Sequence, residues 1–256
     1  MLGFVPQPNL LYMLPKTLSE AIEQGKEATK TALEAGCTRL QIELVYPEIA
    51  LQAQAIAAEF AQFLTYSSSG LKVIFPDTGA AALARRDWGE VPFQVTDLGS
   101  RLTSVNTKIN DADEILLIVC PTAVEVSKIE ELCNLAGDRP VILLLPQLED
   151  VSIVGIGYAA RQLRDRFLST LESCYYIRPI ESGVLFRSYP QSWQVWLEKR
   201  EEFKLIAEER EKPVGDDLDL IIARATRDSQ EEEGIAQKRK RGILGNLGRL
   251  FKALNH

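Results

Sequence analysis

Apolar residues recur along this chain in two alternating rhythms, and together these predict an α/β fold. Short apolar runs at Leu40–Val45, Leu71–Phe75, Glu114–Val119 and Val141–Leu145 have the length of strands. Between them lie stripes at helical spacing: Leu18, Ala21, Ile22, Gly25, Thr29, Ala32 and Leu33; then Ile49, Ala53, Ile56, Phe60, Phe63 and Leu64; then Val126, Ile129, Leu132, Cys133 and Ala136. The first helix opens on Thr17-Leu18-Ser19-Glu20, which has the form of a capping box, and ends at Gly36. Further helices are expected from Asp77 to near Trp88, over 123–136, from about Gly157 to Leu171, and from Asp216 to about Ala225. Residues 93–95 give a weak strand signal, and 100–110 read as helix or loop.

Continuous apolar strands separated by amphipathic helices point to a parallel sheet covered on both faces. The rhythm changes after residue 172. Cys174–Ile177, Val184–Tyr189, Trp193–Leu197 and Phe203–Ala207 read as strands, with Glu181-Ser182-Gly183 as a hairpin turn. The 193–209 segment also fits a helix through Trp193, Trp196 and Leu197, so both readings stand. The expected architecture is therefore a mostly parallel sheet with helices on both faces, extended by C-terminal antiparallel strands, plus an amphipathic C-terminal helix. In domain terms this is an extended segment at 1–13, a single α/β domain at 14–226, an acidic linker at 227–237 and a basic amphipathic tail at 238–256.

Four strands end alike, in Tyr46-Pro47-Glu48, Phe75-Pro76-Asp77, Cys120-Pro121-Thr122 and Leu145-Pro146-Gln147. Proline stops the ladder and suits the first helical turn. In a parallel sheet these ends converge on one edge, where open α/β sheets bind ligands. Glu48, Asp77, Thr78, Thr122 and Gln147 are the candidate pocket residues. Helix capping alone also accounts for these residue types, and the two carboxylates disfavour a phosphate ligand. Gly155-Ile156-Gly157-Tyr158-Ala159-Ala160 has the form G-x-G-x-x-A, but it follows the last parallel strand rather than the first, so it reads as a helix start rather than a dinucleotide site. Arg161, Arg164, Arg166, Arg178 and Arg187 form a candidate anion or partner patch; pairing with neighbours such as Asp165 and Glu172 is the competing explanation.

Composition removes several chemistries. The only histidine is His256, so no imidazole base, Ser-His-Asp or Cys-His pair, or His-ligated zinc is available. Cys37, Cys120, Cys133 and Cys174 form no C-x-x-C pair; Cys120 and Cys174 read as small buried hydrophobes, and the set suits a reducing compartment. No metal or cofactor is called for. No apolar stretch approaches the ~20 residues of a membrane span, and no secretory signal is expected.

Charge is unevenly placed. Residues 238–256 contain Lys238, Arg239, Lys240, Arg241, Arg249 and Lys252 and no acid, whereas the chain totals −7, leaving −13 on residues 1–237. An acidic domain argues against nucleic acid as a partner. On a helical wheel Ile243, Leu244, Leu247, Leu250, Phe251 and Leu254 fall within an arc of ~120°, wide enough to lie on a membrane surface. A helix-binding groove on a partner protein reads the same stripe, as does packing back on the acidic domain.

Several motifs in combination resemble a domain family of cyanobacteria and chloroplasts that includes plant low-photosystem-II-accumulation proteins and a domain following a plastid adenylate kinase. They are Leu14-Pro15-Lys16-Thr17, the Tyr46-Pro47-Glu48 and Phe75-Pro76-Asp77 turns, Arg161 through Phe167, and Gly183-Val184-Leu185-Phe186-Arg187-Ser188-Tyr189-Pro190 into Trp193. The similarity covers residues 14–212 and brings no catalytic residues. It implies a role in photosynthetic complex assembly or thylakoid function, on the cytoplasmic side of thylakoids in a cyanobacterial setting. The expected function is a non-catalytic membrane-peripheral auxiliary factor whose tail docks on anionic membrane or a partner. The alternative is a small-ligand-binding regulatory domain, or a histidine-free enzyme, using the carboxyl edge of the sheet.

Overall fold

A computed structural model describes residues 13–100, 102–148, 158–199 and 202–232. The tail at 238–256, most of the segment 1–13 and Gly155–Gly157 of the glycine motif lie outside them. The described elements run α1 (Leu18–Glu34), β1 (Arg39–Leu44), α2 (Ile49–Thr65), β2 (Leu71–Phe75), α3 (Thr78–Trp88), β3 (Gln94–Asp97), β4 (Ile115–Val119), α4 (Val126–Ala136), β5 (Val141–Leu144), α5 (Tyr158–Arg166), β6 (Glu172–Ile180), β7 (Gly183–Ser188), β8 (Trp193–Lys199), β9 (Glu202–Glu209) and α6 (Asp216–Glu232). The strand order is β3-β2-β4-β5-β1 for the first five strands and β6-β7-β8-β9 for the last four. Two compact units are distinguished: Thr29–Cys174, and the residues up to Ala28 together with those from Tyr175 onward.

In the Thr29–Cys174 unit every strand pair from β3 to β1 is parallel. Strands β2, β4 and β5 are buried at every position, so both faces of this sheet must be covered. Side chains alternate across the pleat. Ile74, Leu116, Ile118, Val141 and Leu143 pack in one cluster with Val126, Ile129, Leu132 and Cys133 of α4. The intervening positions belong to the other face, where α2 meets β2 and β4 through a stripe that includes Ile56, Phe60 and Leu64. Gly70 is fixed by crowding: a Cβ there would collide with the Ala112 carbonyl and the Glu114 backbone.

Among the described residues of this unit, Lys72 and Asp113 form a buried charged pair. Each is 3% exposed. The Lys72 ammonium donates to Asp113 Oδ2 at 2.5 Å and to the Lys108 carbonyl at 3.2 Å. Asp113 Oδ2 also accepts from the Asn110 N–H at 2.7 Å.

In the other unit β6 to β9 form an antiparallel meander. The 193–209 segment is a hairpin, β8 and β9, with a register shift between Val195 and Trp196. Trp193, Val195, Tyr176 and Leu185 share one face, and Leu218 of α6 closes over them. Gly183 lies so close to the Trp196 carbonyl that no side chain fits. Tyr175, fully buried, donates its hydroxyl to Gln24 Oε1 at 3.0 Å, and Gln24 Nε2 donates to the Met13 carbonyl at 2.9 Å.

Several boundaries differ from those read in the sequence. The expected helix to Leu171 ends at Arg166, and a 3-10 turn at Leu168–Thr170 replaces its last turn. Phe167, Leu163 and Leu168 still reach the core, so the apolar spacing survives the change of structure. The 100–110 segment contains a short 3-10 turn at Val105–Lys108. The helix after β4 begins at Val126 rather than 123. Helix α6 runs past Ala225 to Glu232, into the stretch read as linker; no glycine or proline interrupts the sequence before Gly234.

Removing one member of a buried ion pair strands the other charge in a low-dielectric site, at a cost of about 3–5 kcal/mol. Lys72→Met should therefore lower the urea midpoint strongly without changing the denaturant slope. A loss under ~1 kcal/mol, the range of exposed pairs, would mean that water reaches this site.

A candidate ligand cleft at the strand switch point

Open parallel sheets bind ligands at the carboxyl edge, where successive crossovers leave in opposite directions. That point lies between β2 and β4. Strand β2 leads through α3 to its outer neighbour β3, and β4 leads through α4 to β5 on the other side. A cavity of about 620 Å³ sits there. Phe75 and Val119, the last residues of β2 and β4, form its floor. Leu51, Ala53 and Gln54 of α2 and Ala80 and Leu83 of α3 form its walls, and the turn after β4 adds Cys120, Thr122 and Glu125.

The backbone at this edge is strained. Glu48, Cys120 and Leu145 have left-handed φ values of 68°, 48° and 53°. An L-residue in that region costs about 1–2 kcal/mol. Cys120 and Leu145 also precede prolines, which restricts them further. Hydrogen bonds hold the distortion in place. The Cys120 N–H donates to the Leu144 carbonyl at 2.7 Å, Leu145 N–H to Ile42 at 2.8 Å, and Gln147 N–H to Pro121 at 2.7 Å. The ladder thus resumes beyond both kinks, as a bridge between Thr122 and Gln147.

Two of the five candidate pocket residues, Asp77 and Thr122, line the cavity; Glu48, Thr78 and Gln147 do not. Asp77 caps α3, its Oδ1 accepting from the Ala80 N–H at 2.9 Å. Thr122 donates from N and Oγ1 to Glu125 Oε2 at 2.9 and 2.6 Å. Glu48 is exposed at the start of α2 and makes no side-chain cap bond. Thr78 bonds the Asp97 carboxylate at the end of β3. Glu125, Gln54 and Leu51 were not anticipated. Glu125 had a signal, because Thr122-x-x-Glu125 has capping-box spacing; Leu51 and Gln54 had none.

Cys120 is half-buried on the cavity rim rather than a core hydrophobe. Burial pushes its thiol up to about 11, so it is overwhelmingly protonated at neutral pH and is not an activated nucleophile. Cys133 and Cys174 are buried. Burial would raise the Asp97 carboxyl, but hydrogen bonds from Lys108, the Gly99 N–H and Thr78 outweigh it and hold it below its ordinary value.

The candidate arginines are divided between the two units. Arg161 and Arg164 are exposed on α5, where Arg166 pairs with Glu130 at 2.9 Å. Arg178 and Arg187 belong to β6 and β7 of the other unit. Arg187 lies 5.3 Å from the Trp193 ring centroid and bonds the Gln191 carbonyl, contacts that explain it structurally. Among the described residues no group of three or more His, Cys, Asp or Glu could hold a metal, and no helix is long and apolar enough to cross a membrane.

Comparison with known protein families matches residues 15–220 to DUF1995, a domain of unknown function. The chain belongs to the DUF1995 family. The switch-point cleft falls entirely within the DUF1995 match, whereas the basic residues from Lys238 onward lie beyond it.

Two predictions follow from this edge. Glu48→Gly should stabilise the DUF1995 domain by up to about 1 kcal/mol in urea unfolding, because glycine adopts the left-handed region freely; a destabilisation would show that the Glu48 side chain contributes. Asp97 titrates below the ~3.9 of an unfolded aspartate. Its contribution is complete above that value and lost as pH falls through the lower native one. The acid limb of stability against pH should therefore be shallower in Asp97→Asn, and an unchanged limb would contradict the assignment.

Proposed function

We propose that the protein is a non-catalytic auxiliary factor held at an anionic membrane surface by residues 238–256. The observation that carries this reading is the tail's composition: six basic residues, no acid, and six large apolar side chains on one helical arc, attached to a chain whose remaining residues sum to −13. Each Lys or Arg near an anionic surface is worth about 1 kcal/mol. Gly245 and Gly248 oppose helix formation by ~1 kcal/mol each. The balance favours reversible, salt-sensitive attachment with folding on contact. The resemblance to low-photosystem-II-accumulation proteins supports a role in photosynthetic complex assembly or thylakoid function, on the cytoplasmic side of the thylakoid membrane. Within that role the tail reaches lipid or an assembly partner.

A second reading is favoured by the cleft. A cavity at the switch point, with a left-handed residue on its rim, suits a small-ligand-binding regulatory domain. Its polar groups are carboxylates, a threonine, an amide and a protonated thiol, a set that favours binding over nucleophilic catalysis.

Flotation with liposomes tests the first reading, comparing the full chain with one ending at Gly234. The full chain should float with anionic lipid at low salt and be released at high salt, while the truncated chain stays in the dense fraction. If neither floats, attachment to lipid is refuted, and a protein partner for the tail is the reading to test next.

A further inference from the structure

The cleft between β2 and β4 has a sign. Asp77 and Glu125 bring carboxylates to it, and among the described residues no lysine or arginine lines it. The cations of the surrounding helices are engaged elsewhere. Helix α2 contains none. On α3, Arg85 donates to the Val95 carbonyl at 3.0 Å and Arg86 pairs with Asp87 at 2.7 Å. On α4, the Lys128 ammonium is held by the Leu98, Gly99 and Ser100 carbonyls at 3.0, 3.3 and 2.5 Å.

Two helices, α3 and α4, begin at this edge, and a helix N-terminus carries about half a positive charge. Two full carboxylates against two such ends leave the cleft at roughly −1. Asp77 spends Oδ1 on its cap and Glu125 spends Oε2 on Thr122, so Asp77 Oδ2 and Glu125 Oε1 remain for a ligand among the described contacts. Beneath them the surface is apolar. Phe75 and Val119 form the floor, and Leu51 and Leu83 remain 84% and 46% exposed at the walls. A phosphate or carboxylate ligand would meet like charge; a wholly apolar one would leave the two carboxylates unanswered.

We propose that this cleft binds a small apolar molecule bearing an ammonium group, its hydrocarbon against Phe75, Val119, Leu51 and Leu83 and its charge between Asp77 and Glu125. The proposal rests on the ligand-binding reading of the cleft. Asp77 then serves twice, as a helix cap and as a counter-ion, and the two roles separate chemically. Asparagine caps a helix as well as aspartate but carries no charge.

The test uses the full chain and three eight-carbon probes of matched shape: octylammonium, octanol and octanoate, at low salt and pH 8. The readout is the slow alkylation of Cys120 by excess N-ethylmaleimide, through its small thiolate fraction, followed by mass spectrometry, with Cys37 on the same chain as internal reference. Octylammonium is expected to slow Cys120 alkylation selectively, octanol to do so at least ten-fold more weakly, and octanoate not at all. The Asp77→Asn/Glu125→Gln variant should lose the difference between octylammonium and octanol while unfolding at an unchanged urea midpoint. Equal protection by octanol and octylammonium in the unaltered protein would overturn the ammonium assignment yet leave the cleft as an apolar binding site. Preferential protection by octanoate would overturn it in favour of the helix N-termini. No protection by any probe would remove both the assignment and the ligand-binding reading.

Discussion

Burial of β2, β4 and β5 along their whole length is the constraint from which the Thr29–Cys174 unit follows. A parallel strand with no exposed position needs helices on both sides. Right-handed crossovers achieve this only if successive connections leave in opposite directions. The chain does so at β2 and β4, and the switch point that results is a gap between diverging helices. The cavity is thus a by-product of covering the sheet, present before any particular side chain is chosen to line it. The same constraint explains Lys72. Placed within a fully buried strand, its charge is tolerable only because Asp113 and the Lys108 carbonyl accept from its ammonium in place of solvent.

At the carboxyl edge, strand endings and helix beginnings are compressed into a few residues. Pro121 and Pro146 end the regular ladders, yet Thr122 and Gln147 pair again immediately beyond them. That return requires a sharp reversal in between, and Cys120 and Leu145 supply it in left-handed conformations. Four interstrand or turn hydrogen bonds would have to break to relax them, counting those of Cys120, Leu145, Gln147 and the Thr122–Glu125 turn. At about 1 kcal/mol each, those bonds equal or exceed the strain of two residues at about 1–2 kcal/mol apiece. Such an edge is rigid but not inexpensive, which is the usual condition of a backbone shaped by something other than stability.

Much of the parallel half was legible because two of its strands are pure apolar runs: Ile115–Val119 and Val141–Leu144 admit no other reading once their short length is noted. The edge strand Gln94–Asp97 was faint because only one of its residues, Val95, is apolar. The 193–209 ambiguity arose because Trp193, Val195 and Leu197 alternate while Trp196 breaks the pattern; the register shift beside Trp196 is the physical reason. Helix α5 was over-extended because a 3-10 turn can present Leu168 to the same core as another α-helical turn would. In the cleft, Asp77 and Thr122 could be found because proline punctuation marks them. The strained positions could not, since a sequence reading expects glycine at a left-handed φ and finds Glu, Cys and Leu. Leu51 and Gln54 sit inside a helix, where no spacing marks a residue that faces a gap.

On the proposed membrane-held reading, the two charge signs of the chain act in opposition. An anionic surface attracts residues 238–256 and repels the −13 carried by the rest. Screening limits that repulsion to roughly 8–10 Å at physiological salt. The domain therefore gains nothing by lying flat on the lipid, and adhesion must come from the tail alone. An acidic stretch such as Glu231-Glu232-Glu233 just before the basic residues strengthens the separation, because it resists being drawn into the surface with them. A cationic ligand would partition toward the same anionic membrane that holds the tail. Tail and cleft would in that case be coupled through the local concentration of ligand at the surface, without any conformational signal passing between them.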